Sequence, residues 1–385
     1  MKILTTLSGL KLSTMAYTPI PSESKKQINR AGDLLCEYDD KSLDIYEKLD
    51  TYFRSLDLAN QWRACHAYPI NTFQATLRTN LLSYKGTPIV AQRLKRMPTV
   101  IDKLKRHQHM KLTTMQDIGG VRGIVDDMTD LNKIVSKYVN NKSFPHQLIE
   151  KYDYVNNPRD QDGYRSIHLV YKYSNVKKAE YDGLRVEMQL RTKLQHIWAT
   201  AVETVGVFLK QSLKTRQGDE EWLNFFALVS SAFALTEETP PLKRFAHLDY
   251  NQTCAEIAST EKRLGILAQL HNFTYIVETV GDQKAHSYHL IVNDNTSKKV
   301  YITSFDRTSQ QKALSEFAEK EKVVNEKNEN VDITLVSAGK IDTLRKAYPN
   351  LFLDLSEFIS QLNLIITYAR MQPIAISPKG EKYNL

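Results

Sequence analysis

Apolar and polar residues alternate with period two through Val186, Glu187, Met188, Gln189, Leu190 and Arg191, a pattern that only an extended strand can use. Val186, Met188 and Leu190 then share one face, and Glu187, Gln189 and Arg191 form a polar row on the other. A strand of this kind needs an apolar layer on one side and leaves a carboxylate, an amide and a guanidinium side by side on its other side. The remaining chain supplies alternating helical and strand-like segments, so the expected class is α/β (α+β).

Residues 24–62 carry apolar positions at three- and four-residue steps and read as helical, and Pro69 marks a helix start. From Arg78 to Lys111 there are nine basic residues against one acid, Asp102, a distribution suited to polyanions. Within it Arg93 and Lys95 alternate as on a strand. Pro98-Thr99 then opens a helix that sets Lys103 and Arg106 three apart on one face. Arg96, Lys105 and Lys111 read as solvated charges.

Asp117 precedes a glycine-bearing turn, Gly119-Gly120, that leads into an apolar strand, and residues 130–141 form a helix. A polar loop over 156–163 with strong turn chemistry delivers the chain into a strand on which Tyr164, Ser166 and His168 face the same way. Helices follow over 194–213 and 222–237, and Pro240-Pro241 marks a boundary. Beyond it lie an amphipathic helix over 254–270, strands over 273–280, 287–293 and 299–305, a charged helix over 309–323, a strand over 331–336, and short helices at 341–347 and 353–362.

No apolar run approaches the length needed to span a bilayer, and a cytoplasmic location is expected. Cys36, Cys65 and Cys254 are too dispersed for a local metal site and odd in number for a disulfide framework, so reduced thiols are expected.

Taken as one site, Asp117 and Glu187 supply the hard oxygen ligands that Mg²⁺ takes together with substrate phosphates. The clustered cations can neutralise a triphosphate, and Tyr164 offers a ring face for a base. Phosphoryl-type transfer is the chemistry these groups share.

Five motifs in order then carry a resemblance to the synthetase domain of the RelA/SpoT alarmone family. They are Arg-x-Lys at Arg93 and Lys95, Lys-x-x-Arg at Lys103 and Arg106, and Asp-Ile-x-Gly-x-Arg from Asp117 to Arg122. Gly-Tyr-x-Ser-x-His from Gly163 to His168 and Glu-x-Gln-x-Arg-Thr from Glu187 to Thr192 complete the series. The resemblance implies an open, mixed β-sheet flanked by helices, and transfer of the β,γ-pyrophosphate of ATP to a ribose 3′-hydroxyl. It implies that Arg93 and Arg122 sandwich adenine and that Lys95, Lys103 and Arg106 bind phosphates. Asp117 would hold Mg²⁺, and Glu187 would serve as second ligand or as base. Tyr164 would stack the acceptor's base, while His168, Gln189 and Arg191 line the site. No His-Asp dipeptide occurs, so the hydrolase signature of the bifunctional enzymes is missing.

The acceptor is either GDP or GTP, as in alarmone synthetases, or the 3′-CCA end of tRNA, as in the toxic small synthetases; the second is the expected one. The C-terminal third resembles the pseudo-zinc-finger antitoxin domain of CapRel-type fused toxin–antitoxin proteins of phage defence. That resemblance implies an autoinhibited toxin released by a phage protein. The expected organisation is a synthetase over 1–240, a helical linker over 241–272 and a regulatory domain over 273–385.

Overall fold

The computed structural model describes residues 17–38, 49–84, 86–141, 143–212, 217–272, 276–280, 288–294, 296–297, 299–327, 331–337 and 355–372. The expected helix at 341–347 lies outside them.

The first helices are α1 (Lys25–Tyr38), α2 (Leu49–Cys65) and α3 (Ala67–Leu81), with Pro69 in the first turn of the last. Strand β1 (Ile89–Leu94) and helix α4 (Met97–Arg106) show the expected change of period. Pro98 sits in the opening turn of α4, Met97, Val100, Ile101 and Leu104 bury its apolar face, and Lys103, Lys105 and Arg106 lie in its last turn, where cations suit the helix dipole. Strand β2 (Gly119–Val125) leads into α5 (Met128–Val139), capped by the Asp127 side chain, which accepts from the backbone N–H of Asp130 at 2.9 Å.

Strands β3 (Gln147–Asp153), β4 (Ile167–Lys172) and β5 (Arg185–Thr192) complete the first half of the sheet. The long helices α6 (Lys193–Ser212) and α7 (Gln217–Thr236) follow. Next come α8 (Tyr250–Leu264) and α9 (Ile266–Asn272), which split the expected single helix at Gly265. The C-terminal segment contributes β6 (Ile276–Val280), β7 (Tyr288–Asp294), β8 (Lys299–Phe305), α10 (Gln310–Lys327), β9 (Val331–Ser337) and α11 (Ser356–Met371). The last is one sixteen-residue helix where the sequence suggests a shorter one over 353–362.

All nine strands belong to one sheet, in the order β3-β4-β5-β2-β1-β9-β7-β8-β6. β2 and β5 run parallel, with Gly120 opposite Glu187 and Arg122 opposite Gln189, and β4 pairs antiparallel with β5, with His168 opposite Gln189. The alternation expected at 186–190 is observed: Val186, Met188 and Leu190 are buried in the core under α1 to α5. Gly119 lets α3 approach that face, because a Cβ there would stand 2.7 Å from Ile70 Cγ2 and 3.1 Å from His66 Cβ. His66 is itself buried, its Nδ1 2.8 Å from the Trp62 carbonyl, and burial holds it down at about 4. It packs the N-terminal helices.

The C-terminal strands do not form a sheet of their own. β9 pairs antiparallel with β1, bringing Ser337 opposite Gln92 and Val336 opposite Arg93, so the second group of strands extends the first at its edge. Side chains fasten the join. Gln74 Nε2 donates to the Ser337 carbonyl at 2.8 Å. The buried Arg63 pairs with the buried Glu321 at 2.7 Å and lies 4.4 Å over the Phe317 ring. Glu321 Oε1 also accepts from the backbone N–H of Met97, at the start of α4. Arg96, expected as a solvated charge, is ion-paired with Asp332, and Lys111, expected likewise, pairs with Asp33 at 3.1 Å.

A second core joins the chain across Pro240. Trp198, Trp222, Phe225 and Phe226 of α6 and α7 pack with Cys254 and Ile257 of α8 and Phe358, Leu362 and Ile365 of α11. The stretch after 240 therefore shares apolar packing with the stretch before it, and shares a sheet as well. Among the described residues no helix is long and apolar enough to cross a membrane.

Candidate functional site

The face of β2, β4 and β5 turned away from the α3 side carries a cavity of about 240 Å³. Asp117, Glu187, Lys103, Arg93, Arg122 and His168 line it, together with Gln189, Arg159 and Gly120. The parallel register explains the convergence: Asp117 sits at the entry to β2, and Gly120, opposite Glu187, places no side chain on the cavity floor. Two carboxylates seventy residues apart in sequence thus open onto one space.

Each carboxylate is held. Lys95 Nζ donates to Asp117 Oδ2 at 3.0 Å and Lys103 Nζ to Asp117 Oδ1 at 2.9 Å. The backbone bond from Lys95 N to the Ile118 carbonyl, 2.8 Å, fixes the lysine beside its partner. Burial alone would raise the Asp117 carboxyl, but the two ammonium groups outweigh it and hold it below the usual carboxylate range. Burial also lowers Lys95, against the pull of Asp117.

Glu187 Oε1 lies 3.0 Å from His168 Nδ1, and its Oε2 accepts from Gln189 Nε2 at 2.8 Å. On its other side His168 Nε2 is 2.9 Å from the Tyr164 hydroxyl. Burial disfavours the imidazolium, yet Tyr164 and Glu187 together overcome that effect and lift His168 from 6.5 to about 9. The imidazolium donates to both neighbours and holds Glu187 ionised, below its ordinary value despite burial. A raised histidine stabilises the fold fully below 6.5 and loses that contribution as the pH climbs through about 9. The melting-temperature gap between the native chain and His168→Gln is therefore expected to shrink steadily from pH 6.5 to 9.5. A gap that is constant over this range would show that His168 is neutral in the fold.

Gly163 delivers Tyr164 to this site: its φ of +79° suits glycine, and its carbonyl accepts from Ser230 Oγ of α7 at 2.6 Å. The Tyr164 ring is covered by the Arg159 guanidinium at 4.6 Å. Arg159 is the residue that sequence reasoning missed; the signal was an Arg in the turn-rich loop five residues before Tyr164.

Four expected site residues are absent from the cavity lining: Lys95 and Tyr164, which reach it only through Asp117 and His168, and Arg106 and Arg191. Arg106 is absent from the cavity lining, because Asp102, one turn back on α4, draws it aside at 2.8 Å, and it lines a different, larger cavity. Arg191 is 2 % exposed and buried beneath the site, so it is not part of a solvent-facing row. Arg122 is buried too but reaches the cavity, with its Nη2 3.4 Å from Gln189 Oε1.

Among the described residues no three His, Cys, Asp or Glu side chains gather to hold a metal by themselves. Asp117 and Glu187 nevertheless fit the hard-ligand pair that Mg²⁺ uses when phosphates complete its shell.

Residues 92–207 match the family model described as "Region found in RelA / SpoT proteins". The chain is 30% identical over 114 residues to GTP pyrophosphokinase YjbM of Bacillus subtilis, covering 29% of this chain and 52% of the relative. It is 26% identical over 136 residues to GTP pyrophosphokinase YwaC of the same organism, covering 33% and 62%. In each case the match spans less than two thirds of the relative. Among solved structures, small alarmone synthetase 1 of Bacillus subtilis, bound to its product pppGpp, aligns with a TM-score of 0.39 at 24% identity, over 46% of this chain and 93% of that one. The family match begins within β1 and ends in α6, taking in β2, β4 and β5 of the carboxylate cavity, and residues 92–207 of this longer chain accordingly carry the region found in RelA/SpoT proteins.

Proposed function

We propose that the chain is an ATP-dependent pyrophosphokinase. The observation that carries this reading is the convergence of Asp117 and Glu187 on one cavity rimmed by Arg93, Lys103 and Arg122. Lys95 and Lys103, now neutralised by Asp117, would take the phosphates, and Arg93 and Arg122 the adenine. Mg²⁺, held by Asp117 and Glu187, would supply charge neutralisation at the phosphates. In the transfer the acceptor's 3′-oxygen forms a bond to the β-phosphorus, the bond from that phosphorus to the α,β-bridging oxygen breaks, and AMP departs. Glu187, kept ionised by His168, takes the hydroxyl proton.

Two acceptors suit a base stacked on Tyr164. A guanosine nucleotide is favoured by the names of the curated relatives, both GTP pyrophosphokinases. The 3′-CCA end of tRNA is favoured by cationic groups beyond the carboxylate cavity, and it is the acceptor we propose. Incubation of the full chain with ATP labelled in its γ-phosphate and with either tRNA or GDP is expected to label the tRNA. Label on GDP alone would replace this acceptor with the guanosine nucleotide, and label on neither, with the native chain and with Glu321→Gln, in which the C-terminal join is weakened, would overturn the pyrophosphokinase reading.

The join between β9 and β1 supports a regulatory role for the C-terminal segment, since it grips the strand that carries Arg93 and the start of the helix that carries Lys103. In the toxin reading the segment restrains the synthetase, and a partner such as a phage protein would release it by competing for this edge.

A further inference from the structure

We propose that the surface running from Tyr164 through Tyr154 and Tyr152 into the large cavity beyond is a track for single-stranded RNA, binding the nucleotides that precede the acceptor nucleotide. This rests on the pyrophosphokinase reading only for the direction of the strand, its 3′ end lying at Glu187.

The aromatic part is continuous. The Tyr154 ring stands edge-on to Tyr164, centroids 5.9 Å apart, and lies parallel to Tyr152 within 4° at 6.0 Å. All three residues are partly buried, and Tyr152 opens onto the large cavity. Arg159 lies 4.6 Å from the Tyr164 ring and 5.8 Å from that of Tyr154, a second planar group beside the same platform. Every base has a π-face, and successive aromatic rings bind a strand with little regard to sequence.

The cationic part adjoins it. Tyr152 also lines a cavity of about 670 Å³ whose wall includes Arg106, His107, His109, Gln116 and Arg185, and to which no carboxylate contributes. Arg185 is fixed by donating to the Thr114 carbonyl, and the Tyr152 hydroxyl donates to Gln116 Oε1 at 3.4 Å. Arg106 is held by Asp102 from outside the lining, so Arg185 is the guanidinium the cavity offers to an anion at the far end of the rings, separate from the cations around Asp117. A mononucleotide has one base, which Tyr164 takes, and leaves Tyr154 and Tyr152 without a function. A strand uses all three rings and sets its backbone phosphates along the cavity.

The test uses the full chain and a fluorescein-labelled RNA hexamer ending in CCA, read by fluorescence anisotropy, with GDP binding measured alongside. Tyr152→Ala is expected to weaken hexamer binding by about ten-fold through the loss of one stacked base, with affinity for GDP unaltered. Tyr152→Phe retains the ring and is expected to bind like the native chain. Arg185→Ala is expected to lower the slope of log affinity against log salt by about 0.7, the share of one phosphate contact on a single strand. Equal hexamer affinity for the native chain and Tyr152→Ala would overturn the track, as would equal losses for hexamer and GDP. If the hexamer binds in this pattern but no acceptor receives label from ATP, even with Glu321→Gln, the track stands and the pyrophosphokinase reading fails. If GDP is labelled while the hexamer does not bind, the reverse holds.

Discussion

Replacing Glu187 with glutamine is expected to reduce pyrophosphate transfer by about 10²–10⁴-fold, the range associated with loss of a positioned general base. The substitution retains the shape of the side chain and its place opposite Gly120 on the β2–β5 ladder. It removes the only atom pair at that position able to accept the 3′-hydroxyl proton, and it removes the counter-charge of His168. Two readouts separate these effects. The transfer rate at saturating ATP reports the chemistry, and the NMR titration of His168 reports the ion pair. In the variant the histidine is expected to fall well below its native value of about 9, because burial then acts with only Tyr164 to oppose it. A variant that transfers within three-fold of the native rate would exclude Glu187 as the base, whatever the titration showed.

Glu321→Ala is expected to destabilise the chain by about 3–5 kcal/mol, measured as a shift in the denaturant midpoint at constant slope. Glu321 serves two groups: it neutralises the Arg63 guanidinium at 2.7 Å, whose Nη1 also donates to the Lys95 carbonyl at 3.4 Å, and it accepts from the N–H of Met97 at 3.2 Å. Both side chains of the ion pair are nearly inaccessible to water, 4% and 7% exposed, so removing the acid strands a buried cation against the Phe317 ring. Glu321→Gln retains an acceptor for Met97 and is expected to lose less. Because Met97 opens the helix that carries Lys103, the same variant also probes regulation. A transfer rate that rises in Glu321→Gln supports restraint by the C-terminal segment, and a rate that is unchanged argues that the join is structural only. A midpoint shift equivalent to less than about 1 kcal/mol in Glu321→Ala would mean that Arg63 is solvated or otherwise paired.

Much of this site was legible because its elements are local. The alternation over 186–190 assigned Glu187 and Gln189 to one face before any coordinate was known, and the burial of Val186, Met188 and Leu190 on the other face agrees with it. Period two is a property of extended backbone and needs no knowledge of neighbours. The change of period between Arg93 and Pro98 likewise placed a strand and a helix within a residue or two of those observed. The ordered motifs between Arg93 and Thr192 nominated Asp117 and Glu187 for one site through the family resemblance, and the parallel register of β2 and β5 brings the two carboxylates together.

The sequence by itself thus determined strand faces and helix starts, which follow from backbone periodicity and short-range spacing, while the groups expected at the cavity came from the family resemblance. Tertiary structure alone decided how those groups are used. The alternation put Arg191 in the same polar row as Gln189, yet the folded chain leaves it 2 % exposed. Arg106 shares a helix face with Lys103 but turns to Asp102, and Arg159 enters the cavity from a loop with no periodicity to read. The join of β9 to β1 is the extreme case: Arg96 meets Asp332 across 236 residues, a pairing set by which sheet edge remained open and not by any pattern within either segment.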